Sequence, residues 1–272
     1  MVGILTLDIL TPEYWYLDLN KKVSYYGYSF MEGSFKEYLV NKVKPKLDDE
    51  RWIQELVDMA VEITGFSEEE FIEIFENRGD YGCWQIGEAV AECVLEDSGK
   101  ARFYYQSCRD LKNPNAYNTG ADIVGFCDVD GETLFLFGEV KTSSDRSVPP
   151  AVLNGRTGMI KQLEELQVNK NKRDNLVKWI TSKKKLLSEA FENDLKKALS
   201  AYARSKGEKV QLVGVLVRDT EPNELDLKNR AKALEKTTPP LMKVWLFALY
   251  TRFSMDNDAW IIAMNGGATY GS

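Results

Sequence analysis

The stretch DIVGFCDVDGETLFLFGEVK, residues 122–141, decides how this chain is read. Two apolar runs, Asp122–Val129 and Thr133–Lys141, flank the dipeptide Asp130-Gly131. Asp-Gly is a strong signal for a two-residue type I′ hairpin turn, because both central positions need positive φ. Closing the hairpin there pairs Val129 with Glu132, Phe126 with Phe135 and Val124 with Phe137. Asp122 then falls opposite Glu139. Side chains alternate along a strand, so Asp122, Glu139 and Lys141 share one face with these apolar pairs. Directly opposed Cβ atoms stand about 4.5–5.5 Å apart. Two carboxylates held so close repel each other, and a divalent cation removes the repulsion; Mg²⁺ needs only one or two carboxylates and keeps several waters. The deduction depends on register. A one-residue slip, or a bulge at Gly125, would send Asp122 to the other face.

Lys141 completes the chemistry. Beside a metal-bound water, an amine or ammonium can position or deprotonate the nucleophile and stabilise charge on a phosphate in transit. The metal lowers the pKa of its water and polarises the phosphate.

Composition narrows the alternatives. The chain has 272 residues, 44% of them hydrophobic, and a formal net charge of −7. It contains no histidine. That excludes Ser-His-Asp and Cys-His nucleophile systems, His-ligated zinc and His-based nucleases. Cys83, Cys93, Cys108 and Cys127 show no CxxC spacing, which argues against a zinc ribbon and for free thiols in a reducing compartment. There is no signal-peptide pattern and no apolar run near the roughly 20 residues of a membrane span. The expected location is cytoplasmic.

Along the chain, Val2–Leu7 and Tyr14–Leu17 are strand-like, and Tyr25, Tyr26 and Tyr28 follow. From Ser34 the period turns helical, with Phe35, Tyr38, Leu39 and Val43, then Trp52, Leu56, Met59, Ala60 and Ile63. Ser67 followed by three glutamates marks another helix start. The spacing predicts a helix over 82–95, a strand over 101–105, a helix over 156–167 and a long helix over about 171–206. Strands are expected at 210–217, 243–250 and 259–263, with a loosely held tail from Gly266. These patterns define an α/β protein. Residues 1–79 form a mostly helical lobe with some strand, a candidate docking surface, and 80–272 form the domain that carries the site.

A strand-borne Asp followed about 16 residues later by Glu-x-Lys resembles the PD-(D/E)xK nuclease superfamily, through Gly120-Ala-Asp122 and Gly138-Glu139-Val-Lys141. The resemblance implies a restriction-endonuclease-like core, a mixed central sheet flanked by helices, and Mg²⁺ or Mn²⁺ as cofactor. It implies that Asp122, Glu139 and the Val140 carbonyl bind metal and that Lys141 assists the water. The superfamily often adds an acid from the preceding helix. In Ile86–Asp97, Glu88 is the preferred candidate and Glu92, one turn later, the alternative. Gln162, on the helix after the Glu-x-Lys strand, is a candidate supporting residue. Residues 86–145 also resemble HamA, the nuclease-subunit family of the Hachiman antiphage defence system. That likeness implies a Mg²⁺-dependent deoxyribonuclease, an endonuclease or nickase, working on DNA with a helicase subunit resembling HamB. The alternative is a catalytically silent nuclease-like module that binds a helicase or DNA.

Charge distribution offers one more feature. Residues 161–209 hold 13 Lys or Arg against 7 Asp or Glu in an otherwise acidic chain. Lys170, Lys172, Arg173, Lys183, Lys184 and Lys185 are the candidate phosphate contacts; a solvated helix face is the competing explanation.

Overall fold

The computed structural model describes residues 5–18, 20–75, 81–110, 120–183 and 188–266. A six-stranded mixed sheet runs through the molecule. In chain order the strands are β1 (Leu10–Tyr16), β2 (Val23–Phe30), β3 (Ile123–Val129), β4 (Glu132–Ser143), β5 (Gln211–Arg218) and β6 (Lys243–Tyr250). Their spatial order is β1-β2-β6-β5-β4-β3. The inner strands β2, β6, β5 and β4 are mutually parallel, and the edge strands β1 and β3 run antiparallel to their neighbours. β5 and β6 are apolar nearly throughout, as strands covered on both faces should be.

The helices are α1 (Ser34–Tyr38), α2 (Lys44–Asp48), α3 (Glu50–Thr64), α4 (Glu68–Phe75), α5 (Cys83–Asp97), α6 (Met159–Val168), α7 (Lys170–Ser182), α8 (Glu189–Arg204), α9 (Lys228–Thr237) and α10 (Ala259–Met264). Apart from α3 and α4 they divide between the two sheet faces, and period-two alternation assigns strand residues to each. One core joins α1, α5 and α10 to Ile123, Leu136, Val140, Val215 and Phe247. The other joins α6–α9 to Val124, Phe135, Phe137, Leu216 and Leu246.

The hairpin closes as its sequence requires. Asp130 has φ 51° and Gly131 φ 81°, both in the left-handed region that a type I′ turn demands. β3 and β4 pair from Val129↔Glu132 through Phe126↔Phe135 and Val124↔Phe137 to Ile123↔Gly138, in unbroken register through Gly125. No bulge intervenes.

Several elements differ from expectation. Residues 5–7 are irregular, and the rest of the expected Val2–Leu7 strand lies outside the described residues. Residues 101–105 make only one bridge, Arg102↔Phe126, instead of a strand. The helical run after Gln167 is two helices, α7 and α8, and Asn169 and Ser188 cap their N-termini by accepting from the amides of Lys172 and Phe191. Residues 259–263 are the helix α10, not a strand. Five apolar residues in a row fit either form, and here Trp260 packs edge-on against Phe35, 5.1 Å between ring centres. The tail expected to be loose from Gly266 lies outside the described residues beyond that glycine.

The first two strands, β1 and β2, are tied to the rest of the molecule. β2 pairs with β6 from Val23↔Val244 to Ser29↔Tyr250, so the boundary expected at 79/80 separates strands of one sheet. What does stand apart is the pair α3–α4, whose residues pack chiefly on one another.

Candidate active site

β3 and β4 bring the three motif residues together. Asp122 sits just before β3, one position beyond the last ladder pair, and its Oδ2 accepts from the Val140 amide at 2.9 Å. This hydrogen bond extends the hairpin register by side chain where the backbone ladder stops. A strand residue directs its N–H and C=O to the same side, so the Val140 carbonyl also faces the edge that β3 has left. Lys141 Nζ lies 3.7 Å from Asp122 Oδ2 and 3.6 Å from Glu139 Oε2. Both are ion-pair distances longer than a direct hydrogen bond.

Glu139 is the unusual member. It is fully buried, and neither carboxylate oxygen has a hydrogen-bond partner. Burial pushes its carboxyl up to about 8; repulsion by Asp122 adds to the shift, and Lys141 and Lys172 oppose it. A buried carboxylate with no donor asks for a proton or a cation. The fit to a divalent ion is therefore chemical: two oxygens on Glu139, Asp122 beside them, and a carbonyl turned to the same edge. Among the described residues, no three acidic or cysteine side chains are drawn close enough to hold a metal by themselves. An ion here would take most of its shell from water, as Mg²⁺ does.

Glu88 approaches from the other face of the sheet. Its helix α5 starts at Cys83, where the Gln85 side chain accepts from the Gly82 amide at 2.8 Å. α5 then packs directly on β4 at Gly87, where a methyl group would overlap Thr142 Oγ1. The next residue, Glu88, is set beside the site. Burial pushes its carboxyl up to about 9, with Asp122 and Glu92 adding repulsion and Lys141 relieving part of it. Glu92 has another partner: Lys46 Nζ lies 3.0 Å from it and 2.7 Å from Glu96. The two helix acids thus separate into one that faces the site and one that is neutralised by a lysine.

Gln162 lies on α6, which covers the same sheet face as Glu139, and its Oε1 is buried without a partner. Thr142 Oγ1 is likewise unpartnered. Sequence reasoning did not single out Thr142 or Lys172's influence on Glu139; neither has a motif, and each is placed only by how helices settle on β4.

The basic candidates divide. Lys184 and Lys185 lie outside the described residues. Arg173 is 3% exposed and donates to the carbonyls of Leu166, Gln167 and Gly207, so it fastens the α6–α7 corner and is not a phosphate contact. Lys183 pairs with Asp110 at 2.7 Å. Lys170 pairs with Asp174 at 2.7 Å, an exposed i,i+4 pair. Lys172 lies 3.6 Å from Glu165. Of the four cysteines, Cys93 and Cys127 are buried and Cys108 is exposed; all four are free. No helix among the described residues is long and apolar enough to cross a membrane.

No protein-family model matches the chain, and no curated protein matches it. The fold and site define an α/β protein with a frustrated carboxylate–lysine cluster at one sheet edge.

Proposed function

We propose that the chain is a metal-dependent phosphodiesterase of the PD-(D/E)xK type that cleaves DNA. The observation that carries this reading is Glu139: a buried carboxylate with two unpartnered oxygens, beside Asp122 and within 3.6 Å of Lys141. The order α5, β3, β4, α6, followed by α7 and α8 before β5, supports the same reading, because it puts an acid-bearing helix before the Asp-strand and a covering helix after the Glu-x-Lys strand.

Asp122, Glu139 and the Val140 carbonyl would hold Mg²⁺ or Mn²⁺, which supplies an activated water and a charge on the scissile phosphate. Lys141 holds the attacking water or the phosphate oxygen by its ammonium, which stands 3.7 Å from Asp122 and 3.6 Å from Glu139. Glu88 takes up or releases a proton beside that lysine, or would help Asp122 and Glu139 to hold the ion. Asp122 is held in place by the Val140 amide, so its second oxygen is the one left to bind. Lys172 adds positive charge where a phosphate backbone would pass.

Work in antiphage defence, with a helicase partner resembling HamB, rests on the motif likeness over 86–145 alone. The test is plasmid cleavage with Mg²⁺, with and without copurifying cellular partners, comparing the native chain with Glu139→Ala, Lys141→Ala. Loss of cleavage in a variant that keeps native circular dichroism is expected. Undiminished cleavage by that variant would overturn the site. Partner binding by the native chain with no metal-dependent cutting in any arm would favour a silent binding module.

A further inference from the structure

The pair α3–α4 combines two properties that a free surface rarely combines. Residues 50–75 hold eight carboxylates against the single cation Arg51, and all eight acids are exposed. The same segment exposes large apolar side chains: Met59 by 52%, Ile63 by 76%, Phe66 by 61% and Ile74 by 68%. Met59 and Ile63 are four apart on α3 and stand on one face of it. In α3 only Val57 is buried, and in α4 no residue is. The base of the pair is fixed: Arg109 makes two hydrogen bonds to Asp49, at 2.6 and 2.7 Å, and its guanidinium lies 4.8 Å from the Trp52 ring centre. The helices beyond that anchor are held mainly by each other.

Large apolar side chains left exposed on two adjacent helices and set among like charges mark an interaction surface. The sign of those charges selects the partner. Eight exposed carboxylates repel a nucleic acid and an anionic membrane, and attract a protein surface rich in Lys and Arg. We infer that α3–α4 is a docking arm for a protein partner that presents an apolar seam edged with basic side chains, such as an amphipathic basic helix. This does not depend on the chemistry at Glu139; the arm can dock a partner whether or not the site cuts DNA.

The test uses the whole chain and a synthetic helical peptide with leucine on one face and lysine on the other. A scrambled Leu/Lys peptide and a Leu/Glu peptide serve as controls. Calorimetry should show binding to the Leu/Lys helix alone, weakening as salt is raised. Hydrogen exchange should show protection confined to 50–75. Ile63→Ser with Phe66→Ser and Ile74→Ser, and separately Glu62→Lys with Glu69→Lys and Glu73→Lys, should each weaken binding at least about tenfold. All six positions are exposed, so both variants should fold. No binding, equal binding of a control peptide, protection elsewhere, or native affinity in both variants would overturn the inference. So would a concentration-dependent dimer of the native chain that the serine variant abolishes, since a second copy would then be the occupant.

Discussion

Two buried carboxylates, Glu139 and Asp226, meet opposite fates. Glu139 pairs across the ladder with Gly214, and Arg218, the cation beside the second carboxylate, pairs with Ser143, beyond Lys141. Arg218 donates to Asp226 at 2.6 Å, and the Tyr250 hydroxyl donates to the same oxygen at 2.8 Å. The other end of the guanidinium binds the carbonyls of Asp145 and Ser147, and Tyr14 meets Tyr250 at 2.7 Å. That network ties β1, β5, β6 and the loop after β4 into one unit. At Glu139 the lysine stands off at 3.6 Å, the carboxylate has no donor, and its neighbour is another acid. The fold gives two donors to one oxygen of Asp226, although its Oδ1 and Arg218 Nε stay unpartnered, and gives none to either oxygen of Glu139. Asp226 is held by the protein; Glu139 is left for something the protein binds.

The sharpest break in this comparison is stability. Arg218→Ala should cost about 3–5 kcal/mol, because it strands a buried charge. Glu139→Gln should cost nothing or stabilise. Denaturant unfolding of both variants decides the point; a large loss in Glu139→Gln would make the two sites alike.

Metal gives the second contrast. Mg²⁺ or Mn²⁺ at about a hundredfold over its Kd should stabilise the native chain by about 2.7 kcal/mol. Thermal unfolding should show no such gain in Glu139→Gln or Asp122→Asn, and a full gain in a variant of the other network, Tyr14→Phe. Gain in all three would place the ion elsewhere.

The pH dependence follows from the direction of the shift. Glu139 holds its proton to about 8, whereas the unfolded chain releases it near 4.5. The unfolded state therefore loses that proton first, and stability falls as pH rises from about 4.5 to about 8, staying low above it. Without metal, Glu139→Gln should match the native chain near pH 4.5 and exceed it by about 1–3 kcal/mol near pH 8.5. An equal difference at both values would mean that Glu139 ionises normally.

The smallest effect separates the two helix acids. Glu88→Gln should lower cleavage about 10- to 100-fold, and Glu92→Gln by no more than about threefold, in a plasmid assay. The reverse order would move the helix acid to Glu92 despite its lysine.

How far the residues alone reached follows from the range of each interaction. The hairpin register was readable because Asp130-Gly131 is a local signal and alternation carries it outward one pair at a time. It led to Asp122, Glu139 and Lys141 directly. The choice of Glu88 over Glu92 needed the family likeness, and the reason for it, Lys46, comes from a helix some forty residues away. The pairing of β2 with β6 was not readable at all, since parallel partners carry no turn between them. Nor could an arginine in a basic run announce that it would be buried: Arg173 reads like its neighbours until Leu166, Gln167 and Gly207 surround it. The run at 259–263 failed for a different reason, because it is too short for its period to distinguish helix from strand.

The β2–β6 ladder also bears on how the chain is made. Val23 and Val244 are about 220 residues apart, yet they are neighbours in the sheet. During synthesis, β2 emerges with no parallel partner and waits until β6 has been made. For that interval the aromatic run Tyr25, Tyr26 and Tyr28 is an unpaired edge, a target for chaperones and a hazard for aggregation. The late strand β6 also flanks β5, which flanks β4, so the sheet beneath Glu139 stays incomplete until the ribosome has delivered it. A nascent chain would thus reach its assembled site only after β6 has emerged, a built-in delay between making the motif residues and setting them in place.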